Sequence, residues 1–425
     1  MKKIKVAYIY ILVLLFLSLK MYQSTPLEPI FTVVQSVFLV CTLAFVIVYY
    51  VHLFVNRSVA QNCVAYFAVL MFIIPVISAF STKINFGQPL LLGLLSERNW
   101  FVISAALSIY YLLITKRIKF YELENIFVFI AVASLIIYCS FYFFVEPWAN
   151  DDGVGFGKIT ESRGVRFHFV EFFIKFGLIY FFIKLFTFKK FSYLCLTLLF
   201  LSYIVFLNGG RTYLIVSLLV MACYFIFNAG LNRFIFYALV SSTVLAFSMS
   251  LFLLLMPDLL LSKVSFFAEM FNTVFSGKEG SDMSSNARIW TANTVIDYFT
   301  ANPYAMLFGA GNVSNQFNDG WSTYFSYFYP SDIGWLGGFF QYGLFGIIFL
   351  WAYPTFMVLK LLHKTMKIDN DFINAIRYML VFVLLTPQQS VPFFQIFTLL
   401  LPLFILFAFV ENNEKENHVV CTTKS

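Results

Sequence analysis

Residues 190–228 read KFSYLCLTLLFLSYIVFLNGGRTYLIVSLLVMACYFIFN: two long apolar runs joined only by Asn208-Gly209-Gly210-Arg211-Thr212. Crossing about 30 Å of hydrocarbon takes roughly 20 apolar residues in helical form. Each run nearly supplies that, so the stretch reads as two membrane helices that turn back on each other with almost no connection. The whole chain repeats this pattern. Of its 425 residues, 61% are apolar and 12% charged, which excludes the soluble domains that such a length otherwise makes. Phe alone contributes 57 residues, more aromatic surface than so few charges could cover in water. The net charge of +7 is scattered between apolar runs, where it fixes topology, and forms no basic face for nucleic acid.

The fold class on this basis is all-α and polytopic, with about twelve transmembrane helices near 6–22, 30–54, 61–80, 99–115, 124–145, 167–186, 190–207, 211–228, 233–256, 334–361, 372–388 and 391–410. The run 89–95 is too short to span and is expected in the outer interface, while Pro387 and Pro392 predict a tight turn between the last two helices. Lys2, Lys3, Lys5, Arg57, Lys116, Arg117, Lys119, Lys184, Lys189, Lys190, Arg233, Lys360, Lys364, Lys367 and Arg377 are read at alternate connections, which puts those connections and both termini in the cytoplasm. Lys2-Lys3-Ile4-Lys5 and the run after it resemble a signal peptide, yet no small-residue cleavage site precedes Lys20, so the run is read as a retained first helix. The domain plan is nine helices in 1–256, a large outer loop with short helices in 257–333, three helices in 334–410, and a short, polar, disordered cytoplasmic tail in 411–425. Cys41, Cys63, Cys139, Cys195 and Cys223 stand singly inside apolar runs and predict no disulfide.

The outer segments carry the candidate chemistry. Arg211 lies between two apolar runs at the outer boundary. It either snorkels to lipid phosphates or binds an anion that Gly209 and Gly210 let approach the backbone. The segment 146–166, EPWANDDGVGFGKITESRGVR, ends on Arg163 and Arg166, placed to bind an anion at a polar mouth. His168, Glu171 and Lys175 follow at helical spacing along one face of the sixth helix. Glu171 and Lys175 form an i,i+4 pair that either neutralises itself or serves a function.

In the large segment, Asn286-Ala287-Arg288-Ile289-Trp290 begins a helix running to about Phe299, with Ser284 or Ser285 as its cap and Asn302-Pro303 as its end. Leu307-Phe308-Gly309-Ala310-Gly311-Asn312 makes a tight turn. Phe317, Trp321, Tyr324, Phe325, Tyr327, Phe328 and Tyr329 crowd behind it, in part an interfacial belt and in part a platform for sugars. Trp290, Asn312, Trp321, Tyr324 and Trp335 are the sugar-binding candidates. Asp332 either caps the tenth helix or acts as general base on a sugar hydroxyl. There is no HExxH, no Cys-rich spacing and no GxxxxGK[ST], so no metal and no cofactor are expected.

Three stretches, in this order, resemble the bacterial O-antigen ligase and Wzy-type polysaccharide polymerase superfamily. NGGRTYLIVSLL (208–219) is similar to its small-residue, Arg-Thr, apolar-helix signature. ARIWTANTVIDYFTANPYAMLFGAGN (287–312) is similar to its Arg-x-Trp helix, Asn/His-Pro and Gly-x-Gly turn. SDIGWLGGFFQYGLFG (331–346) is similar to the segment that opens the helix after the large periplasmic loop. The likeness covers 160–410 approximately, and includes the long loop before the last three helices.

The resemblance implies a GT-C-like transferase architecture in the bacterial inner (plasma) membrane. The implied enzyme is a glycosyltransferase that takes undecaprenyl-diphosphate-linked oligosaccharides at the outer face and joins repeat units into O-antigen (lipopolysaccharide) or capsular polysaccharide. It makes Arg211 and Arg288 the diphosphate-binding pair, to which the mouth residues Arg163 and Arg166 are added. Asp332 stands where ligases tend to have a histidine, a departure that leans towards a repeat-unit polymerase. Arg forks stabilise the charge of a leaving diphosphate, and Asp332 taking the acceptor proton gives a metal-independent, inverting transfer. The lipid-linked oligosaccharide and the bilayer are the partners, with a chain-length regulator as a further candidate. The alternatives are O-antigen ligase and a lipid-linked oligosaccharide flippase. A flippase needs no large outer segment, and no internal repeat is visible.

Overall fold

The computed structural model describes residues 6–22, 27–55, 59–145, 148–149, 155–156, 158–160, 164–167, 169–208, 211–229, 283–326, 328–366, 370–386 and 396–422. Helices dominate: α1 (Val6–Ser18), α2 (Glu28–Val55), α3 (Val59–Phe86), α4 (Leu90–Ser96), α5 (Ile103–Ile114), α6 (Phe120–Phe144), α7 (Phe172–Phe188), α8 (Phe191–Ser202), α9 (Arg211–Ala229), α10 (Met283–Ala301), α11 (Ala305–Phe308), α12 (Trp335–Gly346), α13 (Tyr353–Thr365), α14 (Asp371–Leu385) and α15 (Ile396–Thr422). Two short antiparallel hairpins precede α7, β1 (Trp148–Ala149) with β2 (Gly155–Phe156) and β3 (Lys158–Thr160) with β4 (Gly164–Arg166).

Each apolar run expected to be helical forms a helix where it falls on described residues. The expected helix at 233–256, the first part of the large loop and the Pro387–Pro392 turn lie outside them. Among the described residues, four helices are long and apolar enough to cross a membrane: Cys63–Phe86, Phe120–Tyr142, Trp335–Thr365 and Ile396–Asn413. Leu90–Ser96 and Arg98–Ile114, bent by 44°, make a fifth if they form one broken span. The chain is therefore a helical membrane protein, with four or five such spans among the described residues. The larger count of about twelve leans on shorter helices such as Val6–Ser18 and Thr212–Asn228.

At the centre lie α5, buried along its whole length except Tyr111, and α15; Phe404 of α15 meets Phe67 and Tyr110 edge-on. Val37 of α2, Phe72 and Phe80 of α3, and Phe129 and Ile136 of α6 point outward, an apolar surface suited to lipid rather than water. A second, smaller aromatic core lies within the large polar segment and against α12, where Val295, Phe299, Phe328 and Phe340 are buried against Trp321 and Phe325.

Three expectations are corrected. The sixth helix does not begin at 167: residues 167, 169 and 170 are not helical, and α7 starts at Phe172 with Glu171 at its cap position. Tyrosines hold this stretch, since the Tyr142 hydroxyl accepts from Phe167 N at 3.2 Å and the Tyr138 hydroxyl donates to Val170 O at 3.0 Å, while Phe169 stacks on Tyr138. A residue whose backbone is already satisfied has no need of helical bonds.

Arg377 is not in a connection. It is buried inside α14 and donates to Thr365 O, a carbonyl at the end of α13 that lacks a helical donor. The tail does not become disordered at Glu411, because α15 continues to Thr422; the Glu411 carboxylate is buried and accepts from the Tyr110 hydroxyl, and Asn412 Nδ2 donates to Leu113 O at 3.2 Å. The run expected to be too short to span, 89–95, forms the seven-residue α4, which packs on α3 and meets the next helix at a bend of 44°.

Candidate functional site

The described part of the large polar segment, 283–333, packs on the start of α12. On α10 the inward residues Asn286, Ala287 and Thr291 are buried, and Thr291 Oγ1 accepts from Tyr329 N at 3.4 Å. That contact brings α10 against the 3-10 turn Pro330–Ile333, which leads through Gly334 into α12. Gly337, in the first turn of α12, has no room for a side chain, since a Cβ there would sit 1.7 Å from Pro330 O.

Deeper in, α12 is broken. Gly343 has φ of +65°, and the carbonyls of Phe340 and Gln341 accept from Ala310 N at 2.7 Å and Gly311 N at 2.9 Å. The glycine turn thus supplies donors to carbonyls at a break within a span, the condition under which irregular backbone is tolerated there. Gly309 is confined by that docking, with φ of +80° and a virtual Cβ 2.2 Å from Gln341 O.

A buried polar network ties this turn to the membrane body. Asn312 N donates to Ser78 Oγ at 3.1 Å, Asn312 O accepts from Ser96 Oγ at 3.0 Å, and Asn312 Oδ1 accepts from Gln341 Nε2 at 3.4 Å. Ser78 Oγ in turn donates to Glu97 Oε1 at 2.5 Å. Glu97 sits at the α4–α5 bend, buried, with Trp100 Nε1 at 2.9 Å and the Tyr342 hydroxyl at 3.1 Å donating to Oε2. Such donors are what makes a buried carboxylate tolerable. Sequence reasoning passed over Glu97; the signal was an acid between two apolar runs.

The predicted site residues divide by placement. Arg288 is exposed on α10, and Asp332 is exposed on the adjoining 3-10 turn. Asp332 is not the cap of α12, a position Gly334 occupies, so its carboxylate is left on the surface of the unit. Trp335, the first residue of α12, is half-exposed, and Trp290 is partly buried on α10.

Trp321 and Tyr324, both partly buried, make packing contacts within the protein. Trp321 lies against Phe86, Phe328 and Phe340, and the Tyr324 ring lies 4.7 Å from Phe86, with its hydroxyl donating to Phe86 O at 3.1 Å. Asn312 is likewise an anchor, its backbone and amide engaged as described. Arg163 and His168 lie outside the described residues, as do the side chains of Arg166, which ends β4, and of Arg211, which opens α9.

The bundle has two polar ends, both on α7. At one end, Lys175 Nζ is 3.6 Å from Glu171 Oε2 and lies 3.4 Å from the centre of the Tyr213 ring of α9 and 5.3 Å from that of Phe382 on α14. Tyr213 is two residues after Arg211. Just before this end, α8 passes into a π-helical turn, Tyr203–Asn208, a distortion that recurs at functional sites. At the other end, Lys184 Nζ is 3.0 Å from Asp371 Oδ2 and 3.6 Å from Glu124 Oε1. Tyr180 and Thr187 donate to these same carboxylates.

Thr365, where the span Trp335–Thr365 finishes, is bonded by Arg377 in the second turn of α14, the helix that starts at Asp371 beside Lys184. The opposite end of that span, Trp335 with Asp332 before it, therefore lies towards the end of the bundle where α7 and α9 begin.

Comparison with models of known protein families gives no match to this chain, and comparison with curated proteins gives none either.

Proposed function

We propose that the protein is a glycosyltransferase of the polysaccharide polymerase kind, joining undecaprenyl-diphosphate-linked oligosaccharide repeat units at the outer face of a bacterial plasma membrane. The observation that supports this reading is the packing of the Arg288 helix against the turn that carries Asp332, with both residues exposed beside the half-exposed ring of Trp335.

In the reaction, an acceptor sugar hydroxyl attacks the anomeric carbon of the lipid-linked donor. The new C–O bond forms as the bond to the diphosphate breaks, undecaprenyl diphosphate departs, and the proton passes to the Asp332 carboxylate. Attack opposite the leaving group inverts the anomeric centre. Charge grows on the diphosphate as it leaves, and guanidinium donors of Arg211 and Arg288 meet it; removing one such donor typically costs about 3 kcal/mol of barrier.

The general-base reading of Asp332 asks for partial burial, and the residue is exposed, so bound substrate must cover it for the proton to pass. The flippase alternative draws on the broken helices, since transporters use such breaks to bind cargo. Here, however, the break in α12 is occupied by the protein's own glycine turn.

The test is complementation of a deletion strain. Arg211→Ala and Arg288→Ala should abolish chain extension while single repeat units still reach the surface. Wild-type chain lengths from either variant would remove that residue from the site. Accumulation of lipid-linked units on the cytoplasmic side would point to the flippase instead.

A further inference from the structure

The Lys175 cluster carries a step that the sequence left undecided. Lys175 is 13% exposed and is held by three helices: its own, α9 through Tyr213, and α14 through Phe382. Glu171 is its carboxylate partner, at a separation beyond hydrogen-bond length. The other close neighbour is a ring face, which attracts a cation without accepting a directed N–H bond as an oxyanion does. An ammonium has three donors, so this arrangement fixes its position yet leaves donor capacity for an oxyanion.

Its position is equally informative. The ring beneath it belongs to the first turn of α9, a 19-residue helix opened by Arg211, and backbone N–H groups at such a helix start favour negative charge. We propose that Lys175 is a phosphate-binding residue of the transfer site, donating to a phosphoryl oxygen of the lipid-linked diphosphate next to the start of α9. This rests on the transferase reading and extends it. Glu171 and Tyr213 are its neighbours in the site: the carboxylate balances the ammonium's charge until a diphosphate competes for it, and the ring sets its direction.

The experiment measures binding of farnesyl diphosphate to the full-length protein in neutral-lipid nanodiscs, with inorganic diphosphate and phosphatidylglycerol as competitors. The expected result is that Lys175→Met binds farnesyl diphosphate roughly ten- to a hundredfold more weakly, the loss of one charge-assisted hydrogen bond, while its melting without ligand stays close to wild type. Glu171→Gln, which removes the competing negative charge, should bind more tightly. It also keeps the question answerable if Lys175→Met fails to fold.

Equal affinity in Lys175→Met and wild type overturns the role of Lys175 alone, as does a Glu171→Gln affinity that does not rise. Competition by phosphatidylglycerol as strong as that by inorganic diphosphate assigns the lysine to bilayer headgroups and also overturns it. Wild-type protein that binds no farnesyl diphosphate overturns the transferase reading together with this one.

Discussion

Helix α7 carries a lysine towards each end, and the two are held in different ways. Lys184 faces two carboxylates, Asp371 and Glu124, which Thr187 and Tyr180 further bond. Lys175 pairs with Glu171 at 3.6 Å and rests on the ring of Tyr213. Both side chains are mostly shielded from solvent. The first arrangement is closed: one ammonium is shared by two carboxylates that Tyr180 and Thr187 also bond, joining α6, α7 and α14. The second is open, with a cation fixed in place beside a helix start and N–H donors left to offer. A charge saturated by its own fold stabilises; a charge positioned but not saturated is available to a ligand.

The largest stability effect is expected at the closed end. Lys184→Met strands Asp371 and Glu124 together, and breaking a buried ion pair from one side costs about 3 kcal/mol. Thermal melting in detergent should fall sharply, while the protein that does fold keeps wild-type glycan chain lengths. At the open end the pattern reverses. Lys175→Met should cost less, about 1–2 kcal/mol, because the start of α7 still favours the Glu171 carboxylate left behind, yet shorten the polysaccharide ladder. If the two variants lost stability equally and chain length not at all, the contrast between the ends would be gone.

A smaller effect separates ring from hydroxyl. Tyr213→Phe keeps a π face under the ammonium and should change melting by less than about 0.5 kcal/mol, whereas Tyr213→Leu should lose roughly 1 kcal/mol. Equal losses in both would make the hydroxyl, not the ring, the partner of Lys175.

What could be read from sequence follows the range of the interaction. The Glu171–Lys175 pair was legible because i,i+4 spacing is local; Tyr213 and Phe382 were not, because helix packing brings them there. The turn Gly309-Ala310-Gly311 was legible as a turn, but its docking into a break in α12 was not, since Gly343 is one of several glycines in that stretch. Aromatic density announced a special segment without saying which rings pack and which stay free: Trp321 and Tyr324 are engaged with Phe86, while Trp335 is half-exposed. Arg377 was misplaced because topology rules count cations as surface groups, and this one caps a neighbouring helix from inside the bundle. Glu411 misled for the complementary reason, as an acid that looks like the start of a polar tail and is instead buried on Tyr110.

At the centre stands the claim that cations gathered at the Lys175 side release a lipid diphosphate as sugars are joined. Reconstituting the full-length protein with purified undecaprenyl-diphosphate-linked repeat units, and counting free undecaprenyl diphosphate against linkages made, tests it most directly. The account predicts one carrier lipid freed per linkage, with inverted anomeric configuration and no added nucleotide. Repeat units that cross the bilayer unjoined, with no carrier released, would contradict it.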